Sequence, residues 1–232
     1  MEKNKKSSAN LLKVYQRYLQ LERNYSGNTL EAYLHDVGLL LDYCAQNGLE
    51  VLHVTLEDLQ HFSASLHDLQ VGPRSQARVL SGLRSFYRFL MLDGYIENDP
   101  TELLESPVQA HHLPEVLSTQ EVDMLEAAVD LSKSEGHRNR AIIEVLFSCG
   151  LRVSELVNLK LSNLYLDDGF IRVTGKGNKE RLVPISPRAI RELRFWFDDR
   201  NRLTIKPGQE DYVFLNRRGH RLTRTMVLII IK

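Results

Sequence analysis

Cysteine is almost absent. Cys44 and Cys149 are the only two in 232 residues, far apart, each inside an apolar helical pattern. With no Cys-x-x-Cys spacing, a disulfide-stapled secreted scaffold and a thiolate zinc site are excluded. No secretory n-region or h-region opens the chain, so unpaired thiols in a reducing cytoplasm are expected. Long apolar runs are also missing. The nearest approach, Met226 to Ile231, falls far short of the roughly 20 residues a membrane helix needs, and no membrane partner is expected. Net charge is missing too: 30 Lys and Arg balance 30 Asp and Glu. The whole-chain basicity of many nucleic-acid binders is therefore not the signal here. His111-His112 has no third ligand at useful spacing, and His220 lies in a basic loop without a nearby Cys or carboxylate pair, so no metal site is expected. No internal repeat or low-complexity tract occurs.

What is there is uneven. From Arg172 to Lys232 about 15 basic residues face about 6 acidic ones, whereas the stretch up to Val108 is slightly acidic. One surface can be basic while the molecule is neutral.

The first hundred residues read as helices. Leu11, Leu12, Tyr15, Tyr18 and Leu19 fall at helical spacing within 11–21. A second helix starts at Ser26 to Asn28, carries Leu30, Tyr33, Leu34, Val37, Leu40 and Leu41, and stops at Asn47-Gly48. Thr55-Leu-Glu-Asp starts a third with Leu59, Phe62 and Leu66, and Pro73 opens a fourth that runs to Asp93-Gly94. Pro100, Pro107 and Pro114 then break the pattern. The expected division is a helical domain over 1–105, a linker over 106–117 and a second domain over 118–232.

The second domain mixes types. Ser118-Thr-Gln-Glu is a helix start, Arg138 to Ser148 a helix ending at Gly150, and Arg152 to Leu159 a short helix. Three β-prone runs follow, 161–166, 170–174 and 181–185, separated by Asp167-Asp-Gly and Gly175-Lys-Gly-Asn, which predicts an antiparallel meander. An amphipathic helix from Pro187 through Trp196 to Phe197, a short strand over 212–215 and a helix start at 222–225 complete the pattern. The fold class is mainly α with a small antiparallel β-sheet.

Two strings carry a family likeness: Cys149-Gly-Leu-Arg-Val-Ser-Glu-Leu at 149–156 and Gly175-Lys-Gly-Asn-Lys-Glu-Arg-Leu-Val-Pro at 175–184. With the meander between them and a helical domain upstream, the chain resembles the tyrosine site-specific recombinases of the phage integrase family, closest to the XerC/XerD type. The resemblance covers nearly the whole chain. It implies a helical core-binding domain that clasps DNA and an α+β catalytic domain, here without its C-terminal helices. It further implies that a tyrosine attacks a DNA phosphodiester to leave a 3′-phosphotyrosyl link, with no metal, ATP or other cofactor. The implied partners are double-stranded DNA with inverted half-sites and homologous recombinase subunits, a tetramer on DNA. Chromosome dimer resolution, serving chromosome partition at cell division, is the implied process.

The chemistry explains the residue types. A phosphodiester in transit gathers charge on its non-bridging oxygens and needs fixed cationic donors. Arg152, permanently charged and bidentate, fits, and by resemblance it is the first catalytic arginine. Glu155, one turn later, is placed to orient it. By resemblance Lys176, at a glycine-flanked turn, protonates the leaving 5′-oxygen, general acid catalysis worth roughly a hundred- to ten-thousand-fold. The turn lacks Walker spacing and leads into a strand, which excludes a phosphate-binding P-loop. For DNA, the fourth helix offers Arg74, Ser75, Arg78 and Arg84, with Arg88 further on and no acid between them. Ser26, Asn28 and Thr29 at a helix start are phosphate candidates or simple caps, and Lys179, Arg181 and Arg224 are phosphate candidates in the second domain.

One departure stands out. In the family a His-x-x-Arg segment, a further His or Trp and the nucleophilic tyrosine follow the position of Lys232, and none is expected within this chain. No tyrosine is assigned as nucleophile. A non-catalytic DNA-binding relative and a mobile-element integrase remain alternatives.

Overall fold

The computed structural model describes residues 2–108 and 115–232. The side chains of residues 2–9 and of Lys176 lie outside that description, as does the 109–114 part of the expected linker. The chain forms two compact units, Met1–Leu113 and Pro114–Lys232.

The first unit is helical: α1 Glu2–Arg17, α2 Gly27–Asn47, α3 Leu56–Asp68 and α4 Pro73–Leu92. Local chemistry sets the ends. Ser26 caps α2, which stops where Gly48 turns left-handed at φ 68°. Thr55 and Asp58 make a reciprocal capping box at α3, and Pro73 takes the first position of α4, where its missing N–H costs nothing. The first helix departs from expectation: α1 ends at Arg17 and the chain continues as a π-helical turn, Tyr18–Glu22. That widening puts Leu19 in the core and Tyr18 against Phe89 at 5.1 Å, while Leu21 stays exposed. Leucines and aromatics from all four helices, among them Tyr15, Leu40, Phe62, Leu83 and Phe86, form one buried core.

In the second unit α5 (Thr119–Ala127), α6 (Gly136–Cys149), α7 (Val153–Val157) and α8 (Pro187–Arg200) pack with a three-stranded sheet and α9 (Arg224–Ile231). The strands β1 (Leu164–Tyr165), β2 (Phe170–Thr174) and β3 (Glu180–Pro184) are antiparallel in the order β1-β2-β3, so the predicted meander forms. β1 is shorter than predicted because Asp211 takes the Ser162 backbone N–H at 3.0 Å and its hydroxyl at 2.9 Å, holding 161–163 in a 3₁₀ turn. The expected strand at 212–215 makes only isolated bridges. Its carbonyls are met by side chains instead: Trp196 Nε1 donates to Val213 O at 2.8 Å and Arg200 Nε to Tyr212 O at 3.1 Å. Val213, Phe214 and Leu215 are buried beside Ile142, Ile171, Leu193 and Trp196.

Candidate active site around Arg152

The site starts from a stop signal. Gly150, at φ 57°, ends α6, buried Leu151 anchors the chain, and Arg152 precedes α7 in extended conformation. The Arg152 side chain is 74% exposed. Glu155 lies one turn on, its side chain 3% exposed.

Glu155 is the hub. It accepts the Arg152 backbone N–H at 2.8 Å and Arg152 Nη1 at 3.0 Å. Arg181 of β3 grips the same carboxylate bidentately, Nη1 to Oε1 at 2.8 Å and Nη2 to Oε2 at 2.9 Å. These hydrogen bonds, Arg181's foremost, outweigh burial and hold the Glu155 carboxyl down at about 2. A carboxylate fixed in this way presents Arg152 to solvent in one orientation.

The turn between β2 and β3 closes on this clamp. Gly175 donates its N–H to Lys179 O at 2.8 Å, and a Cβ at Gly175 would stand 3.3 Å from both Arg181 Nη1 and Glu155 Oε1. A side chain there would force the clamp to yield by a few tenths of an ångström. Lys176 begins the 3₁₀ turn Lys176–Asn178, with Gly177 left-handed at φ 73° and Asn178 at φ 59°. The backbone therefore sets the Lys176 position one residue after a glycine that touches the Glu155 clamp.

The other candidates fall in separate places. Lys179 is exposed in the same turn, and Arg224 is exposed at the first position of α9. In the first unit Ser26 and Thr29 pair at 2.9 Å through their hydroxyls beside exposed Asn28. Arg74 and Ser75 are exposed on α4, and Arg78 meets buried Asp36. Arg84 donates to Ser106 Oγ at 3.0 Å and to Leu104 O.

Sequence reasoning missed the Arg181 clamp. The signal was strand alternation: Arg181 pairs with Val173 and is two residues from Val183, positions on the inward face of the sheet. An arginine on that face, at the open end of the sheet, lies within reach of the buried Glu155 carboxylate. Also missed were Asp36 and a cluster in which the partly exposed Arg188 contacts buried Glu126 at 2.5 Å, exposed Asp123 at 2.6 Å and buried Glu144 at 3.3 Å.

One sequence expectation needs correction. A His-x-x-Arg string does occur, His137 to Arg140, but it precedes Arg152 on α6. Its arginines are structural: Arg138 Nη1 donates to Leu215 O at 3.1 Å and Arg140 pairs with Glu192 at 2.7 Å. It is not the downstream segment the resemblance implies.

A model described as the phage integrase family matches residues 115–232, and one described as the phage integrase N-terminal SAM-like domain matches 12–94. The chain belongs to the phage integrase family. Among curated relatives, tyrosine recombinase XerD of Chlorobaculum tepidum is 36% identical over 224 residues, 95% of this chain and 74% of the relative. XerD of Lacticaseibacillus casei is 38% identical over 217 residues, 94% of this chain and again 74% of the relative. Site-specific DNA recombination of the Xer type is accordingly the function class of this integrase-family chain. Solved structures share the fold. A λ integrase dimer bound to a COC′ core site matches with TM-score 0.71 at 17% identity, over 96% of this chain and 61% of that one. A XerH recombinase bound to palindromic difH in a post-cleavage complex matches with TM-score 0.71 at 21% identity, over 94% of this chain and 64% of that one. Among the described residues no helix is long and apolar enough to cross a membrane.

Proposed function

We propose that this chain holds duplex DNA through the α4 face and sets Arg152 against the scissile phosphate, with Lys176 as proton donor to the leaving 5′-oxygen. The observation that carries the reading is the exposed Arg152 guanidinium fixed by buried, doubly clamped Glu155. In the step proposed, a tyrosyl hydroxyl gives up its proton to solvent and its oxygen bonds to phosphorus, the bond to the 5′-oxygen breaks, and Lys176 supplies that oxygen's proton. The Arg152 N–H groups receive the charge that builds on the non-bridging oxygens.

The nine tyrosines are all engaged elsewhere: seven (15, 18, 25, 33, 43, 87 and 95) stack among the aromatics of the helical unit. Tyr165 stacks on Phe170 at 4.7 Å and Tyr212 lies under Arg221. Burial pushes the Tyr15 and Tyr87 hydroxyls far above the ordinary tyrosine range, which makes both worse nucleophiles. We therefore read the chain as a DNA-holding part whose attacking tyrosine is none of these nine. Its partners in this reading are DNA with inverted half-sites and homologous subunits, four on a junction, as in the λ integrase tetramer bound to a Holliday junction. Chromosome dimer resolution in the cytoplasm is the process we assign. Occupancy of such sites without cleavage is the second reading, favoured by the same nine tyrosines.

A nicked suicide duplex carrying inverted half-sites tests this. The chain should retard the duplex in a native gel and form no adduct that survives denaturation. A phosphotyrosyl adduct at any of the nine tyrosines would overturn the assignment.

A further inference from the structure

α4 has one wet stripe. Arg74, Arg78, Ser81 and Arg88 are exposed along it, and no acidic residue interrupts the helix. Two of the three arginines, Arg74 and Arg88, have no ion pair among the described residues. Arg78 differs. Its side chain is 45% exposed, yet it is held from behind by Asp36 of α2, whose side chain is 0% exposed.

The contact is close and one-sided. Arg78 Nη1 stands 2.6 Å from Asp36 Oδ1 and donates its hydrogen bond to Oδ2 at 2.7 Å. Oδ1 receives no directed hydrogen bond. Gly82, one turn beyond Arg78, makes the approach possible, since a Cβ there would sit 2.9 Å from Asp36 Cβ and Oδ2.

Stability does not account for this arrangement. A buried carboxylate whose one partner is half-exposed is costly, and an apolar residue would seat α2 on α4 more cheaply. What the aspartate does gain is a guanidinium fixed by one nitrogen, with Nε and Nη2 left for something outside. Immobilising a rotamer-rich side chain at a binding surface costs about two- to tenfold in affinity, and a side chain already fixed avoids it.

We propose that Asp36 is a positioning residue for DNA binding: it orients Arg78 so that its free N–H groups meet a backbone phosphate. The proposal rests on the reading of the α4 stripe as a DNA face. It makes a prediction opposite to simple electrostatics. Removing a negative charge beside a DNA-binding stripe should tighten binding, whereas loss of orientation should weaken it.

The test is a double-mutant cycle on the full chain, using mixed-sequence duplex DNA at fixed salt and fluorescence anisotropy. We expect Arg78→Ala to weaken binding about tenfold, the scale of one charge-assisted contact. Asp36→Asn and the near-isosteric, apolar Asp36→Leu should each weaken it about two- to tenfold, and neither should weaken it further in the Arg78→Ala background. Either aspartate variant suffices if the other does not fold. If Arg78→Ala leaves affinity unchanged, the reading of the stripe is wrong. If Arg78→Ala weakens binding but both aspartate variants bind as well as or better than the parent, the positioning role is wrong and the stripe stands. If they weaken binding equally in both backgrounds, Asp36 merely holds the helices together and the proposal also fails.

Discussion

At the scale of single residues, Glu155 joins two arginines that the sequence places 29 residues apart, Arg152 and Arg181. The consequences are asymmetric. Arg152→Ala leaves Glu155 gripped bidentately by Arg181, and the fold should lose little. Arg181→Ala leaves a buried carboxylate with one exposed partner and should lower the urea midpoint more than Arg152→Ala does. If both variants unfold at the same urea concentration, the clamp is not what stabilises this corner. The sign with pH is definite. Because the Glu155 carboxyl is lowered from 4.5 to about 2, its contribution is present above about pH 4.5 and is lost as pH falls towards 2. Glu155→Gln should flatten that acid limb. The Arg152–Glu155 contact was legible in the sequence because the two residues lie one helical turn apart just after a glycine stop. Asp36 and the Arg181 contact were not, since pairing across 42 and 26 residues follows from packing, which local spacing does not encode.

At the scale of elements, the caps and stops were the readable part. Ser26, Thr55, Pro73, Ser118 and Pro187 begin helices for reasons visible one residue at a time. The apolar run at 212–215 misled because β-prone composition is also what a buried irregular segment looks like when side chains satisfy its carbonyls. Trp196 is one such donor, and Trp196→Ala should cost about 3–5 kcal/mol and loosen that segment, seen as faster amide exchange of Val213. The seam of α5, α6 and α8 behaves differently with pH from the Glu155 corner. Burial, and then the neighbouring Glu144 carboxylate, push Glu126 up to about 7 despite Arg188. A raised carboxyl contributes stability below its unfolded value of about 4.5 and loses it as pH rises through 7. The melting temperature should therefore fall between pH 5 and 8, and Glu126→Gln should reduce that fall. An unchanged slope in the variant would show that the proton is held elsewhere.

At the scale of the whole molecule, neutrality hides segregation. The 30 basic and 30 acidic residues cancel in sum, yet α4 presents arginines with no acid, and the carboxylates that lie among arginines at Asp36, Glu126, Glu155 and Glu192 are buried. Each of these carboxylates is matched by an arginine, while Arg74 and Arg88 on α4 have no ion pair among the described residues, so a neutral chain can still present a basic stripe to DNA. This was only half legible: the excess of basic residues after Arg172 was plain in the sequence, but which of them are already engaged was not. Duplex DNA affinity measured against salt concentration tests the account most directly. For the parent chain log K should fall linearly with log salt, and Arg74→Ala with Arg88→Ala should weaken binding and reduce the slope by about 1.8, two released counterions at roughly 0.9 each. An unchanged slope and affinity in the double variant would contradict the α4 stripe as the surface that holds DNA.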